Sequence, residues 1–435
     1  VLKVNVVDEI MSSGKSHWMM SQMKAWKEED KFEQFVYLSP LLSEVGGEVV
    51  EGKYAAGRIQ IALPDMCFSY PIPLRGSKAT HIKSLLHQGK NISATHNLFL
   101  GLDKTIKDTL GLYRNVLVID ECLDAYRVFD GITKKSLHSF INDRTFLVDP
   151  ATNKMVYNHN EHPLPTKWEF LTLAELCDTG CVFYVNGDAV IWEFPYEVLS
   201  AFDEVWVLTY LFEGSFMSAW CEINGVEVVK QKPILNRSTS EVKQYIKECI
   251  DVVETRSMFK IENYSYSQSW WQDDAVEEVV DKIRKCLESC IKSAKAKAND
   301  ILVACPKPNW EHPPRKEDDT REVKRRPLVK GQGFSKATWL YSDAKATNDY
   351  ADKTCLVYLL GKNPNTFIYN FCTSKGVHVS RDLYALASFL QWVFRGSVRK
   401  KEKMHLIVPC KRMRDLYKLW LETDDETLKE TLNGK

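Results

Sequence analysis

The chain has no run of about 18 consecutive apolar residues, so no membrane-spanning helix is expected. No secretory leader is read at its start, where the first residue is Val1. Paired metal-ligand spacing is missing from its twelve cysteines. Cys177 and Cys181 form a single C-x3-C with no second pair, which argues against zinc and for free thiols in a reducing cytosol. No solenoid-like repeat recurs. Net charge is lacking too, since 58 Lys and Arg balance 58 Asp and Glu. That balance hides a split. Residues 1–220 carry 20 basic against 28 acidic side chains, a net −8, and the remainder is +8. A basic second half suits contact with a polyanion.

What is present is an alternation of short apolar runs and amphipathic stretches. At 435 residues the chain exceeds one ordinary core. In the first half, strands are predicted over 2–7, 35–38, 91–94, 115–119 and 204–209. The 115–119 run, NVLVI, is apolar throughout, as a strand buried on both faces requires. Between Asp124 and Asp203 lies a long insert with strand-like pieces at 181–185 and 189–193 around a Gly187-Asp188 turn. In the second half, helices are predicted over 241–253, 275–297 and 383–394, and strands over 300–304, 353–360, 365–369 and 404–408. A charged loop fills 306–335, and the aromatic stretch at 264–271 reads first as core or domain-interface packing, with base stacking as the alternative. This pattern predicts parallel α/β sheets.

The chemistry gathers in two places. The segment VVDEIMSSGKSHW runs from a strand through Ser12, Ser13 and Gly14 into Lys15, Ser16 and His17 at a helix start. Backbone N–H groups there meet phosphate oxygens, the lysine ammonium reaches the β and γ phosphates, and the serine hydroxyl ligates Mg²⁺. Glycines common in such loops are replaced by Glu9 and Ser12. NVLVIDEC then sets Asp120 and Glu121 at the carboxyl end of an apolar strand, where open α/β sheets bind ligands. Asp120 suits magnesium, and Glu121 suits orienting or deprotonating a water.

With these motifs the chain resembles superfamily 2 helicases, and more closely the helicase-like ATPases of tailed bacteriophages. The resemblance runs over both halves, from DEIMSSGKS and VIDEC to LQWVFRGSVRK near the C-terminus. It implies two RecA-like P-loop NTPase domains in tandem, over 1–225 and 226–435, with a β-rich insertion at about 125–200. Arg395 and Arg399 become arginine fingers and Gln391 a nucleotide or interdomain contact. Arg395 and Arg399, four apart, are expected on one helical face, with Leu390, Phe394 and Val398 on another. Contacts to a nucleic-acid backbone fall on Ser39, Thr95, His96, Lys307, Thr347 and Asn348.

The implied activity is ATP hydrolysis, with Mg²⁺, driving a helicase or translocase along nucleic acid, single-stranded DNA first, in phage DNA replication or recombination. The expected setting is the cytoplasm of an infected bacterial host, as a monomer with possible replication or recombination partners. Two other readings stay open. One is the ATPase of a DNA-packaging motor. The other is a non-catalytic nucleic-acid or replication scaffold with a degenerate phosphate loop, which Glu9 and Ser12 keep open.

Overall fold

A computed structural model describes residues 2–73, 77–310, 328, 336–343 and 349–433. The chain divides into two compact units. The first comprises residues up to Glu9, Lys15–Ile234 and Pro364–Val379, and the second comprises Ile10–Gly14, Leu235–Asn363 and the chain from Ser380 on.

The sheet of the first unit has six parallel strands: β1 (Lys3–Asp8), β2 (Gln34–Ser39), β3 (Ile92–Thr95), β4 (Asn115–Asp120), β5 (Glu204–Thr209) and β6 (Glu227–Lys230). Their spatial order is β6-β1-β5-β4-β2-β3. β4 alternates between two cores. Val116 and Val118 pack with Val7, Phe35 and Tyr37 beneath α1 (Lys15–Glu28), which contributes Met19 and Met23. Leu117 and Ile119 face the other way with Val4, Val6, Val36, Val205 and Val207. Covering both faces with helices and loops requires strands apolar throughout, and β2 is buried at all six positions.

The insert after β4 forms its own antiparallel sheet from Tyr126–Val128, Val182–Val185 and Ala189–Glu193. The last two pair as a hairpin whose turn sets Asn186 (φ 53°) and Gly187 (φ 74°) in the left-handed region. Trp220 is fully buried, and its indole N–H donates to the Phe194 carbonyl at 2.9 Å.

The second unit carries a five-stranded parallel sheet of β7 (Ile250–Val252), β8 (Ile301–Ala304), β9 (Thr338–Trp339), β10 (Cys355–Tyr358) and β11 (Met404–Ile407), ordered β7-β11-β10-β8-β9. The aromatic stretch packs as core: Tyr266 and Trp271 are buried, and the Trp271 indole donates to the Leu359 carbonyl at 2.9 Å. The chain thus has the tandem parallel α/β class expected.

The helix read over 241–253 ends at Cys249, where Ile250–Val252 pairs as β7, and two further expectations are corrected. Residues 365–369, read as a strand, open α2 (Thr366–Ser374), because the Asn365 side chain accepts from the backbone N–H of Phe367 at 3.0 Å and of Ile368 at 3.3 Å. Ile368, Phe371 and Cys372 then fall on one buried helical face. The other concerns α3 (Arg381–Val393), which stops before the spacing of Arg395 and Arg399 can become a shared face. Phe394 caps it, and Gly396 is extended (φ −75°, ψ −173°) ahead of a 3-10 turn over Ser397–Lys400. A side chain at Gly396 would meet the Met404 sulfur (2.5 Å) and a Leu356 methyl (2.7 Å), so the ends of those two side chains would have to shift to admit one. The apolar half of that reading holds, since Leu390, Phe394 and Val398 are all buried.

Candidate functional site

β1 ends at Asp8, and the loop Glu9–Gly14 turns the chain into α1. The turn uses two left-handed residues, Gly14 (φ 106°) and Ser12 (φ 64°). Glycine takes that conformation without steric cost, whereas serine is strained by roughly 1 kcal/mol. Ser13 is buried, and its carbonyl accepts from the Arg237 N–H at 3.3 Å. His17, on the first turn of α1, is exposed.

Lys15 and Ser16 open α1, so their backbone N–H groups belong to the unsatisfied first turn. Lys15 is buried, and its ammonium donates to the Glu9 carbonyl. Burial lowers its pKa, and the nearby charges of Glu121, Asp120, Asp8 and Glu9 oppose that shift. Ser16 Oγ donates to both carboxylate oxygens of Asp120, at 3.2 Å (Oδ1) and 3.1 Å (Oδ2). The phenol of Tyr37 donates to Oδ2 at 2.9 Å. Burial and the Glu121 charge push the Asp120 carboxyl up to about 6, against the pull of the Tyr37 hydrogen bond and of Arg58.

Glu121 follows with φ 70°, a conformation costly for a non-glycine residue. Its N–H is held by the Leu208 carbonyl at 2.8 Å. Thr209, at the end of β5, is buried, and its carbonyl accepts the Glu9 N–H at 3.0 Å. Its hydroxyl lies 3.4 Å from the Cys122 thiol. These contacts bring the ends of β1, β4 and β5 together at the carboxyl edge of the sheet.

Three other sequence candidates of the first unit lie at the ends of β2 and β3. Ser39 and Thr95 are register partners at the ends of β2 and β3. Ser39 is fully buried, and Thr95 caps a short helix over His96–Phe99, accepting from the Leu98 N–H at 3.4 Å. His96 is buried as well. In the second unit Lys307 is exposed, with its ammonium 5.7 Å above the Trp339 ring. Gln391 is half-buried on α3, Arg395 is buried and Arg399 is exposed. Thr347 and Asn348 lie outside the described residues.

Tyr37 escaped the sequence reading. A tyrosine inside an apolar strand reads as core, and its partner Asp120 is 83 positions away. All twelve cysteines are free thiols. No helix among the described residues is long and apolar enough to cross a membrane.

Comparison with known proteins adds three likenesses. A family described as the YonV C-terminal Rossmann-like domain matches residues 244–421, a range that takes in all five strands of the second sheet. The chain is similar to an uncharacterized SPbeta prophage-derived protein, YonV, of Bacillus subtilis (strain 168), at 25% identity over 97% of this chain and 99% of that one. Among solved structures it is similar to an apo form of XPD, with a TM-score of 0.45, 14% identity and coverage of 96% of this chain and 94% of that one. It is also similar to an XPD helicase, with a TM-score of 0.40, 14% identity and coverage of 95% and 89%.

Proposed function

We propose that the chain is an ATP-hydrolysing motor that moves on nucleic acid, a helicase or translocase. One observation carries the reading: Lys15 and Ser16 open a helix at the carboxyl edge of a parallel sheet, with the Ser16 hydroxyl 3.1–3.2 Å from the Asp120 carboxylate and Glu121 next in the chain. The donors suit a small hard cation, because a hydroxyl and a carboxylate offer oxygen only. Ser16 and Asp120 would hold Mg²⁺. When bound, it neutralises charge on the β and γ phosphates.

The chain's own groups supply the rest. Lys15 places a buried cation at the phosphates, and their negative charge favours its protonated form. The first N–H groups of α1 donate to phosphate oxygens. Glu121, fixed through its backbone, orients the attacking water and takes its proton. Charge on the γ-phosphoryl oxygens in the transition state calls for a guanidinium, and the resemblance offers Arg395, which is buried, and Arg399, which is exposed. Strand-end groups such as Thr95 are offered to a strand's backbone. The prophage-derived relative fits a phage setting, where replication or recombination is the expected use.

The test is ATP turnover by the full chain with and without single-stranded DNA or RNA. Turnover stimulated by the strand, and less so as salt rises, is the expected result. Equal absence of turnover in all conditions would favour the scaffold reading, which the replacement of loop glycines by Glu9 and Ser12 supports.

A further inference from the structure

Tyr37 lies in the middle of β2 with no solvent exposure. In the β2–β4 register it stands opposite Val118. Side chains two apart on a strand share a face, so Asp120 is the diagonal neighbour of Tyr37 on the side where α1 packs. The phenol spans that diagonal and donates to Asp120 Oδ2 at 2.9 Å. Ser16, from the start of α1, reaches the same carboxylate from its own side. Asp120 is therefore gripped by two hydroxyl donors from two different elements.

The two donors differ in what they can do. The Ser16 hydroxyl can keep its hydrogen bond to Asp120 while offering a lone pair to a cation. The Tyr37 ring packs in the core with Phe35, Val116 and Val118, and its hydroxyl, with the charges of Arg58 and Glu44 also acting on it, donates to the Asp120 carboxylate. A buried phenol needs a hydrogen-bond partner, and any backbone carbonyl would serve that need. Here the partner is the acid of the DE pair.

We propose that Tyr37 is a positioning residue for metal binding: its phenol fixes the orientation of the Asp120 carboxylate, so that Asp120 and Ser16 present their oxygens together. This inference rests on the nucleotide-site reading above. Such outer partners of metal-binding groups typically contribute roughly 10–100-fold in metal affinity or activity.

The experiment uses the full chain with Tyr37→Phe, which conserves the ring volume and removes one oxygen. Mn²⁺ affinity is measured by electron paramagnetic resonance in the presence of a non-hydrolysable ATP analogue, and analogue affinity is measured separately in EDTA. Tyr37→Phe is expected to weaken Mn²⁺ binding by roughly 10–100-fold while metal-free analogue affinity stays at the wild-type value. In an Asp120→Asn background, Tyr37→Phe is expected to add little, because both changes act through one carboxylate. A thermal melt of each variant checks the fold. Equal Mn²⁺ affinity in wild type and Tyr37→Phe, or fully additive effects of the two substitutions, would overturn the role of Tyr37 and leave the nucleotide site standing. A purely structural role would lower the melting temperature and leave the ratio of metal-bound to metal-free affinity unchanged, which also overturns it. A wild-type chain that binds neither analogue nor Mn²⁺ would remove both readings together.

Discussion

Replacing Lys15 by methionine tests the phosphate site with the least collateral change. Lys15 is buried, so alanine would leave a void, whereas methionine fills most of the space with an uncharged chain. In the ligand-free protein two effects oppose each other. The variant no longer buries a cation, a burden already visible in the lowered lysine pKa. It also loses the hydrogen bond to the Glu9 carbonyl and the attraction of Asp8, Glu9, Asp120 and Glu121. The melting temperature without nucleotide is therefore expected to move little. With nucleotide the balance tips one way. An ammonium about 4 Å from a phosphate charge contributes roughly 4 kcal/mol at an effective dielectric near 20, close to a thousandfold. Burial offsets part of that, so turnover should fall by on the order of 10²–10³. Saturating ATP and Mg²⁺, at about 100 times the dissociation constant, should stabilise the wild type by roughly 2.7 kcal/mol and raise its melting temperature by about 5–10 °C. Methionine at this position should abolish that rise. The assay pairs differential scanning fluorimetry, with and without ATP, with phosphate release on one preparation. A variant that keeps the full nucleotide-induced rise and the wild-type turnover would refute the assignment.

Three further outcomes follow from the proposed function. Glu121→Gln should retain nucleotide affinity and lose roughly 10²–10⁴ in kcat, checked by fluorescent-nucleotide binding beside steady-state turnover; parallel losses in both would contradict a role in handling water. Arg399→Ala should remove most of the strand-stimulated rate, by roughly 10³-fold or more, and spare the basal rate, whereas Arg395→Ala should show first as a lower melting temperature because that side chain is buried. Ser12→Gly relieves a left-handed serine (φ 64°) and should leave the chain as stable or more so, with unchanged or tighter nucleotide binding; a clear loss of affinity would mean that the Ser12 hydroxyl is itself needed.

Much of this architecture is legible in the sequence because parallel strands covered on both faces must be apolar throughout. NVLVI and VVD mark β4 and β1 without help from neighbours, and the acidic and Gly-Lys-Ser ends of those strands mark the site. Short edge strands are harder to read. Glu227–Lys230 and Ile250–Val252 are short and partly exposed, so no run of apolar residues announces them. The segment after Asn365 is ambiguous between the two periods, and a single cap decides for helix. Arg395 and Arg399 are four apart, yet helical spacing means nothing past the residue where the helix ends, and α3 ends at Val393 with Phe394 as its cap. Tyr37 could not be found from sequence, since its role lies in a diagonal between two strands whose pairing is known only once the sheet is built.

The helix Thr366–Ser374 also sets a schedule for synthesis. Although it comes late in the chain, it completes the first unit: Phe371 packs against Tyr126 and Phe183 of the insert, with ring centroids 5.5 and 5.0 Å apart, and the Lys375 ammonium lies 5.3 Å above the Phe183 ring. On the ribosome, the first unit stays unfinished until Val379 emerges, about 145 residues after Ile234. At the usual pace of translation that is a wait of roughly 7–30 s. Until then Tyr126 and Phe183 lack the Phe371 ring that packs against them. A nascent chain arrested before residue 364 should therefore be a chaperone client, and a gene fragment ending near residue 234 should yield an aggregating product rather than an isolated folded unit.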